Sequence, residues 1–267
     1  MHGQMYTIWL FQKSIWALNV LGSALVVWRL YSLKLHTTYQ YFFIGTAFAV
    51  IRSSALFPFP PTDKVYYYPI WSWTEPLLWL SYVLIVAELF RLVLREYRGI
   101  YTLGRWFFFG AVGIAVFISG LTVFPTIPTA AAPGGRPLLL YYYAFIGRGL
   151  VTSLAIFLLL LLVLVAWFPV PLSRNLRIHC TVYSAYFFAN NVTTLYWHTT
   201  DWRTTYISNI AKLVVGLVCY TCWAFYLTRA GEDRTASLGL GRDVVKEKGL
   251  LGQLENLNAT LLGAARK

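Results

Sequence analysis

Apolar residues are arranged along this chain in long runs, separated by short polar or Pro- and Gly-rich segments. A helix that crosses the hydrocarbon core of a bilayer needs about 20 mainly apolar residues. Seven runs meet this length, at approximately 5–30, 38–58, 67–92, 105–127, 138–168, 176–198 and 204–228. The pattern therefore predicts an all-α fold, that of a polytopic membrane protein with a seven transmembrane helix bundle.

The composition favours lipid over water as the surroundings of most of the chain. Hydrophobic residues make up 58% of the 267 residues and charged residues 12%, whereas soluble domains carry about 25% charged residues. We predict one transmembrane domain over residues 1–229, followed by a tail over residues 230–267.

The tail begins with polar and Gly-rich sequence, which is followed by a segment with regularly spaced leucines. Its leucines recur at spacings of four, three and four residues, at Leu250, Leu254, Leu257 and Leu261. This spacing places the leucines on one stripe of a helix, so it predicts a short amphipathic helix in the tail.

Basic residues are concentrated on one side of the predicted bundle. Its loops and tail hold fifteen of them: Arg29, Lys34, Arg91, Arg95, Arg98, Arg105, Arg174, Arg177, Arg229, Arg234, Arg242, Lys246, Lys248, Arg266 and Lys267. The opposite loops hold Lys64, Arg136 and Arg203. The positive-inside rule then predicts an outside N-terminus and a cytoplasmic C-terminus. Orientation and attraction to anionic membrane lipids account for most of the net charge of +12, so we expect no nucleic-acid partner.

Five ionisable side chains are predicted to share one layer in the outer half of the bundle. Counted at about 1.5 Å per residue, each lies roughly six to eleven residues below the outer surface. They are Lys13, Arg52, Glu75, Arg148 and Lys212, and Asn190 and Asn209 add amide groups at nearby levels. Ionised groups at this depth are costly unless they are paired or hydrated, so all seven residues are candidates for a ligand-binding site.

Two interpretations of this layer stay open. In one, Glu75 pairs with a cation and the remaining cations extend toward water, which suits a structural subunit of a larger membrane complex. In the other, the excess of cations lines an outward-facing pocket for an anionic or amphiphilic ligand, such as a carboxylate, a phosphate or a lipid head group. This second interpretation predicts a receptor-like sensor, a carrier or an accessory subunit, with membrane lipids and other membrane subunits as further partners.

The sequence indicates no catalytic residues and no metal site. Cys219 and Cys222 lie one helical turn apart, but no second cysteine pair accompanies them. The four histidines form no cluster, and neither a phosphate-binding loop nor a nucleophile elbow is present. We therefore expect a protein that is not an enzyme, and a membrane-embedded enzyme with Glu75 as its acid stays open as an alternative.

Two segments resemble parts of the microbial rhodopsins. Residues 71–78 resemble the third helix of that family, and residues 211–216 resemble its retinal-lysine segment. This resemblance implies retinal as a cofactor attached to Lys212. Ile70 and Ser208 stand where that family carries Asp.

A second resemblance covers residues 88–99 and 261–266, which are similar to a group of bacterial seven-helix membrane proteins of unassigned function. It implies the seven-helix architecture. For a bacterial protein with seven predicted spans, we expect a multi-pass location in the cell inner (plasma) membrane. It implies no activity.

Overall fold

The computed structural model describes residues 2–60, 63, 65–95, 98–123, 138–167, 172–198, 202–233 and 235–236, with residues 252, 253, 256 and 259 of the tail. This part of the chain is helical, apart from short connections and one pair of two-residue strands. The tail leucines, Leu250, Leu254, Leu257 and Leu261, lie outside the described residues. The amphipathic tail helix therefore stays a prediction.

Within the described ranges, seven helices have 17 residues or more. They are α1 (His2–Ser32), α2 (Gln40–Leu56), α3 (Tyr67–Val93), α4 (Arg98–Val123), α5 (Leu138–Trp167), α6 (Arg174–His198) and α7 (Trp202–Tyr226). Each of them overlaps one apolar run of the sequence. The short helix α8 (Ala230–Asp233) follows α7.

Four of the described helices are long and apolar enough to cross a membrane, judged by length and composition. The qualifying segments are Leu10–Ser32, Tyr67–Val93, Ile146–Ala166 and Ile207–Tyr226. A hydrocarbon core about 30 Å thick requires about 20 residues of helix, and these segments have 20 to 27. The structure therefore indicates a membrane-embedded, all-helical protein.

The distribution of side chains agrees with a lipid environment. Large apolar side chains face outward, with Trp73 exposed by 79% and Phe225 by 72%, while Asn19 and Thr46 are buried. A soluble protein rarely exposes wide apolar surfaces, because water disfavours them. In lipid this arrangement is favourable, since the buried polar groups can bond to one another.

The chain divides into two compact units. Unit 1 comprises Met1–Ile85 and Ala185–Arg229, and unit 2 comprises Val86–Ser184 and Ala230–Lys267. The sequence prediction of a domain over 1–229 and a tail over 230–267 stays a prediction.

In unit 1, α1 packs against both α2 and α7. The Asn19 amide on α1 donates to the carbonyl of Ile15 at 3.0 Å and to that of Leu213 on α7 at 2.7 Å. Gly216 makes room for this side chain, because a Cβ at that position would lie 2.8 Å from Asn19 Oδ1. At the other end of the helix pair, the Arg29 guanidinium donates to the Leu227 carbonyl at 3.0 Å. Polar contacts thus fix α1 on α7 at two levels.

In unit 2, α4 packs against α5 through aromatic rings. The ring centroids of Phe108 and Phe157 lie 4.4 Å apart, and Phe90 contacts Phe157 at 5.2 Å. Leu154 and Leu158 of α5 are fully buried beside them. Helices α4 and α5 therefore associate through close packing of complementary side chains and the dispersion attraction between them.

The start of the tail lies against the segment that precedes α6, also within unit 2. Strand β1 (Leu172–Ser173) pairs antiparallel with β2 (Thr235–Ala236). The buried Asn175 amide donates to Glu232 Oε1 at 2.9 Å. Backbone and side-chain bonds together hold Glu232, Thr235 and Ala236 in place.

Candidate functional site

The centre of the site is an ion pair between α2 and α3 of unit 1. Arg52 donates through Nη2 to the carboxylate of Glu75 and through Nε to Thr74 Oγ1 at 2.9 Å. Thr74 Oγ1 in turn donates to the Ile70 carbonyl at 2.6 Å, which fixes the hydroxyl as an acceptor for Arg52. The two charged side chains are exposed by 13% and 18%. Of the predicted cations, Arg52 is therefore the one that pairs with Glu75.

Glu75 has a second side-chain partner on its own helix. The indole of Trp79, one helical turn further along α3, hydrogen-bonds the Glu75 carboxylate. An indole N–H can only donate, so this bond favours a carboxylate oxygen at this position. Arg52 and Trp79 together hold the carboxylate in one orientation.

Lys212 on α7 completes the group. Its ammonium interacts electrostatically with Glu75, and the side chain is partly buried. Among the described residues it makes no hydrogen bond and no ion pair within 4.0 Å. We name Arg52, Glu75 and Lys212 the Glu75 cluster. Two positive charges and one negative charge leave this cluster with one net positive charge.

Lys13 is engaged differently from the other cations. Its ammonium donates to the carbonyl of Phe57 at 2.7 Å and lies 4.8 Å from the centroid of the Phe57 ring. Phe57 caps the C-terminus of α2, where carbonyl groups lack helical partners and the helix dipole is negative. The structure thus gives Lys13 a capping role in joining α1 to α2.

A second polar group joins α3 to α6 in unit 1. The hydroxyl groups of Tyr82 on α3 and Tyr186 on α6 are 2.9 Å apart. Asn190, one turn from Tyr186, donates to its carbonyl at 2.9 Å and also hydrogen-bonds its side chain. Glu75 lies close enough to both hydroxyl groups for its charge to act on them, without a direct bond among those described. Asn190 therefore reaches the site through Tyr186.

Two predicted residues are not brought to this group by any contact described in unit 1. Asn209 lies on an exposed face of α7. Arg148 belongs to unit 2, where it is half-buried on α5 and its backbone carbonyl accepts a bond from Thr152 at 2.8 Å. The described contacts therefore centre the site on three of the seven candidates, with Lys13 and Asn190 attached through other groups.

Sequence reasoning missed four contributors: Thr74, Trp79, Tyr82 and Tyr186. On α3 a signal was available, because Glu75, Trp79 and Tyr82 follow one another at spacings of four and three residues and so share a helix face. Tyr186 carries no such signal, since its role depends on which helix is its neighbour.

The described residues contain no group of three or more His, Cys, Asp or Glu side chains placed to hold a metal ion. Cys180, Cys219 and Cys222 are free thiols. The chemistry of the described site is therefore that of an ion pair, an amine and neutral hydroxyl groups, which suits recognition of charge.

Comparison of the chain with protein-family models, with curated proteins and with solved structures gives no match.

Proposed function

We propose that this protein is a seven-span membrane protein whose Glu75 cluster binds an anionic or amphiphilic ligand from the outer side. The observation that carries the proposal is the state of Lys212. Its ammonium is partly buried beside a carboxylate that Arg52 already occupies, and no partner among the described residues bonds it. A cation at this depth is stabilised by an anion, which makes a ligand with a carboxylate or phosphate group the natural complement.

The proposed orientation has the N-terminus outside and the C-terminus in the cytoplasm. It rests on the concentration of basic residues in one set of loops and in the tail. In this orientation Arg52, Glu75 and Lys212 lie in the outer half of their helices, so the ligand arrives from outside the cell. The ligand arrives from this side whether the protein is a sensor, a carrier or an accessory subunit.

The experiment is thermal unfolding of the full chain in phosphatidylcholine nanodiscs. Sodium octanoate, inorganic phosphate and incorporated phosphatidylglycerol are tested separately, so that free anions and lipid head groups are distinguished. A ligand at 100 times its dissociation constant stabilises the folded state by about 2.7 kcal/mol. We expect at least one of the three to raise the melting temperature of the wild type.

Lys212→Met should abolish this increase while the protein remains folded. Lys34→Met is the matched control, because it removes the same charge from an exposed position on the turn after α1. If none of the three additions shifts the wild-type melting temperature, the proposed function is wrong. If Lys212→Met and the wild type shift equally, Lys212 is not the contact.

A second candidate function, retinal binding through Lys212, is favoured by one specific observation. The sequence lacks Asp at positions 70 and 208, but the carboxylate of Glu75 interacts with the Lys212 amine and could act as the counter-ion of a protonated Schiff base. Adding all-trans retinal should then produce a visible absorption band that hydroxylamine bleaches and that Lys212→Met lacks. The absence of such a band in the wild type would eliminate this candidate.

A further inference from the structure

Glu75 is shared by two cations, although it can neutralise only one. Arg52 bonds its carboxylate directly, and Lys212 interacts with it across a longer distance. Within the described helices of unit 1 it is the sole carboxyl group, since Asp63 lies between α2 and α3. Any negative charge that approaches Lys212 therefore also approaches Glu75.

Two carboxylates held close together in a poorly solvated site favour a state in which one of them is protonated. Octanoate bound at Lys212 would place its carboxylate beside that of Glu75. Protonation of Glu75 removes this repulsion. It also leaves the Glu75 cluster with the one net positive charge that it had before binding, because one negative and one positive charge have been added.

We propose that the protein binds its anionic ligand together with a proton, and that Glu75 is the group that accepts the proton. This inference rests on the proposed function of the same site. Its consequence is that binding tightens as the pH falls, by up to about tenfold per pH unit when one proton is taken up.

Among the described residues, the titratable groups that act electrostatically on Glu75 or are acted on by it are Arg52 on α2, Lys212 on α7, Tyr186 on α6, and Tyr67 and Tyr82 on α3. Arginine stays charged and tyrosine stays neutral at physiological pH. Lys212 is the one competing proton acceptor in this set. Lys212→Arg distinguishes proton uptake by Glu75 from proton uptake by Lys212, because an arginine at position 212 remains charged and can still attract the anion.

The measurement is proton uptake by the nanodisc-embedded protein in weakly buffered solution. A pH-indicator dye reports the protons taken up when sodium octanoate is added, and a titration at several pH values gives the dissociation constant. We expect uptake of up to one proton per bound octanoate in the wild type and in Lys212→Arg. Glu75→Gln should bind octanoate with no uptake and no pH dependence. Asp63→Asn, the matched acid-to-amide control, should behave as the wild type.

Infrared difference spectra of the wild type provide a test that needs no variant. Octanoate labelled with ¹³C at its carboxyl carbon shifts its own band, so an unshifted protonated-carboxyl band that appears on binding belongs to the protein. Binding of octanoate without proton uptake would overturn the inference and leave the proposed function intact. Undiminished uptake in folded Glu75→Gln would also overturn it. Absence of binding by octanoate, phosphate and phosphatidylglycerol alike would overturn both.

Discussion

The helix pairs α1–α7 and α2–α3 of unit 1 and the pair α4–α5 of unit 2 are held together by different kinds of contact. In unit 1, α1 is joined to α7 by the Asn19 amide and to α2 by the Lys13 ammonium, and an ion pair joins α2 to α3. In unit 2, α4 and α5 meet through the tilted rings of Phe108 and Phe157, whose centroids lie 4.4 Å apart. Lipid tails are as apolar as these rings, so the aromatic contact depends on close packing, whereas the polar contacts depend on specific partners. The α1–α7 and α2–α3 pairs of unit 1 therefore rely on specific polar partners, whereas the α4–α5 pair of unit 2 relies on close packing of aromatic rings.

The largest effect is expected when the ion pair of unit 1 is broken on one side. Arg52→Ala leaves Glu75 without its direct partner and should lower the free energy of unfolding by about 3 to 5 kcal/mol. Replacing both partners, as in Arg52→Met with Glu75→Met, should restore part of that loss, because neither member of the pair is left unpaired, although Lys212 loses its neighbouring carboxylate. Reversible unfolding in mixed micelles, followed by circular dichroism, measures both variants. Equal destabilisation of the single and double variants would show that the pair is not what holds α2 to α3.

In unit 2 the corresponding change is Phe108→Ala. Removing this buried ring leaves a cavity beside Phe157 and should lower the free energy of unfolding by about 3 kcal/mol. Unlike the loss of unfolding free energy in Arg52→Ala, the loss in Phe108→Ala should not be restored by replacing a second, charged residue. We also expect no change in octanoate binding per folded molecule, measured in the same nanodiscs. A change in the octanoate affinity of Phe108→Ala would mean that ligand binding does not depend on unit 1 alone.

Gly216→Ala tests how closely α1 and α7 approach one another. The new methyl group would meet Asn19 Oδ1 at 2.8 Å and should cost about 1 to 3 kcal/mol of unfolding free energy. Gly22→Ala is the control on the facing helix, since its Cβ would lie 3.4 Å from the nearest atom. The control should be less destabilised. If both changes cost the same, the Asn19 contact is not the point of tightest approach.

Tyr82→Phe should have the smallest effect. It removes the hydroxyl contact with Tyr186 but keeps the ring, and interhelical hydrogen bonds in membranes contribute about 0.6 kcal/mol on average. Thr221→Val, which alters an exposed hydroxyl bonded within its own helix, is a suitable reference. A loss of unfolding free energy above about 2 kcal/mol in Tyr82→Phe would mean that the Tyr82 hydroxyl stabilises more polar contacts than its bond with Tyr186.

The sequence predicts the helices well because their length and hydropathy are local properties. The end of α2 at Leu56, just before the Phe57–Pro58 step, follows from the missing proline donor. The partners of the buried charges could not be predicted in the same way. Four cations competed for Glu75, and the choice of Arg52 depends on which helices are neighbours and how each is rotated. The sequence places Lys13 in the correct helix. Its partner, however, is a backbone carbonyl, and the pattern of side chains along the sequence does not indicate such a partner.

The tyrosines show a further limit of sequence reasoning. Tyrosines near helix ends are typical of membrane interfaces, and this applies to residues such as Tyr66, which is exposed beside α3. The same residue type at positions 82 and 186 forms a hydroxyl pair inside unit 1. Composition cannot distinguish the two uses, because only the position along the helix and the facing neighbour decide between them.

The bond from Asn19 to Leu213 also sets an order of events during synthesis. The two residues are separated by 194 positions, which take about 10 to 40 seconds to synthesise at 5–20 residues per second. Throughout that interval α1 carries a polar amide whose partner helix has not yet been made. The bond from Asn19 to Ile15, within the same helix, is available from the start and can satisfy one amide hydrogen while α1 waits. Helix α1 therefore completes its contact with α7 only when α7 has been made and has joined it.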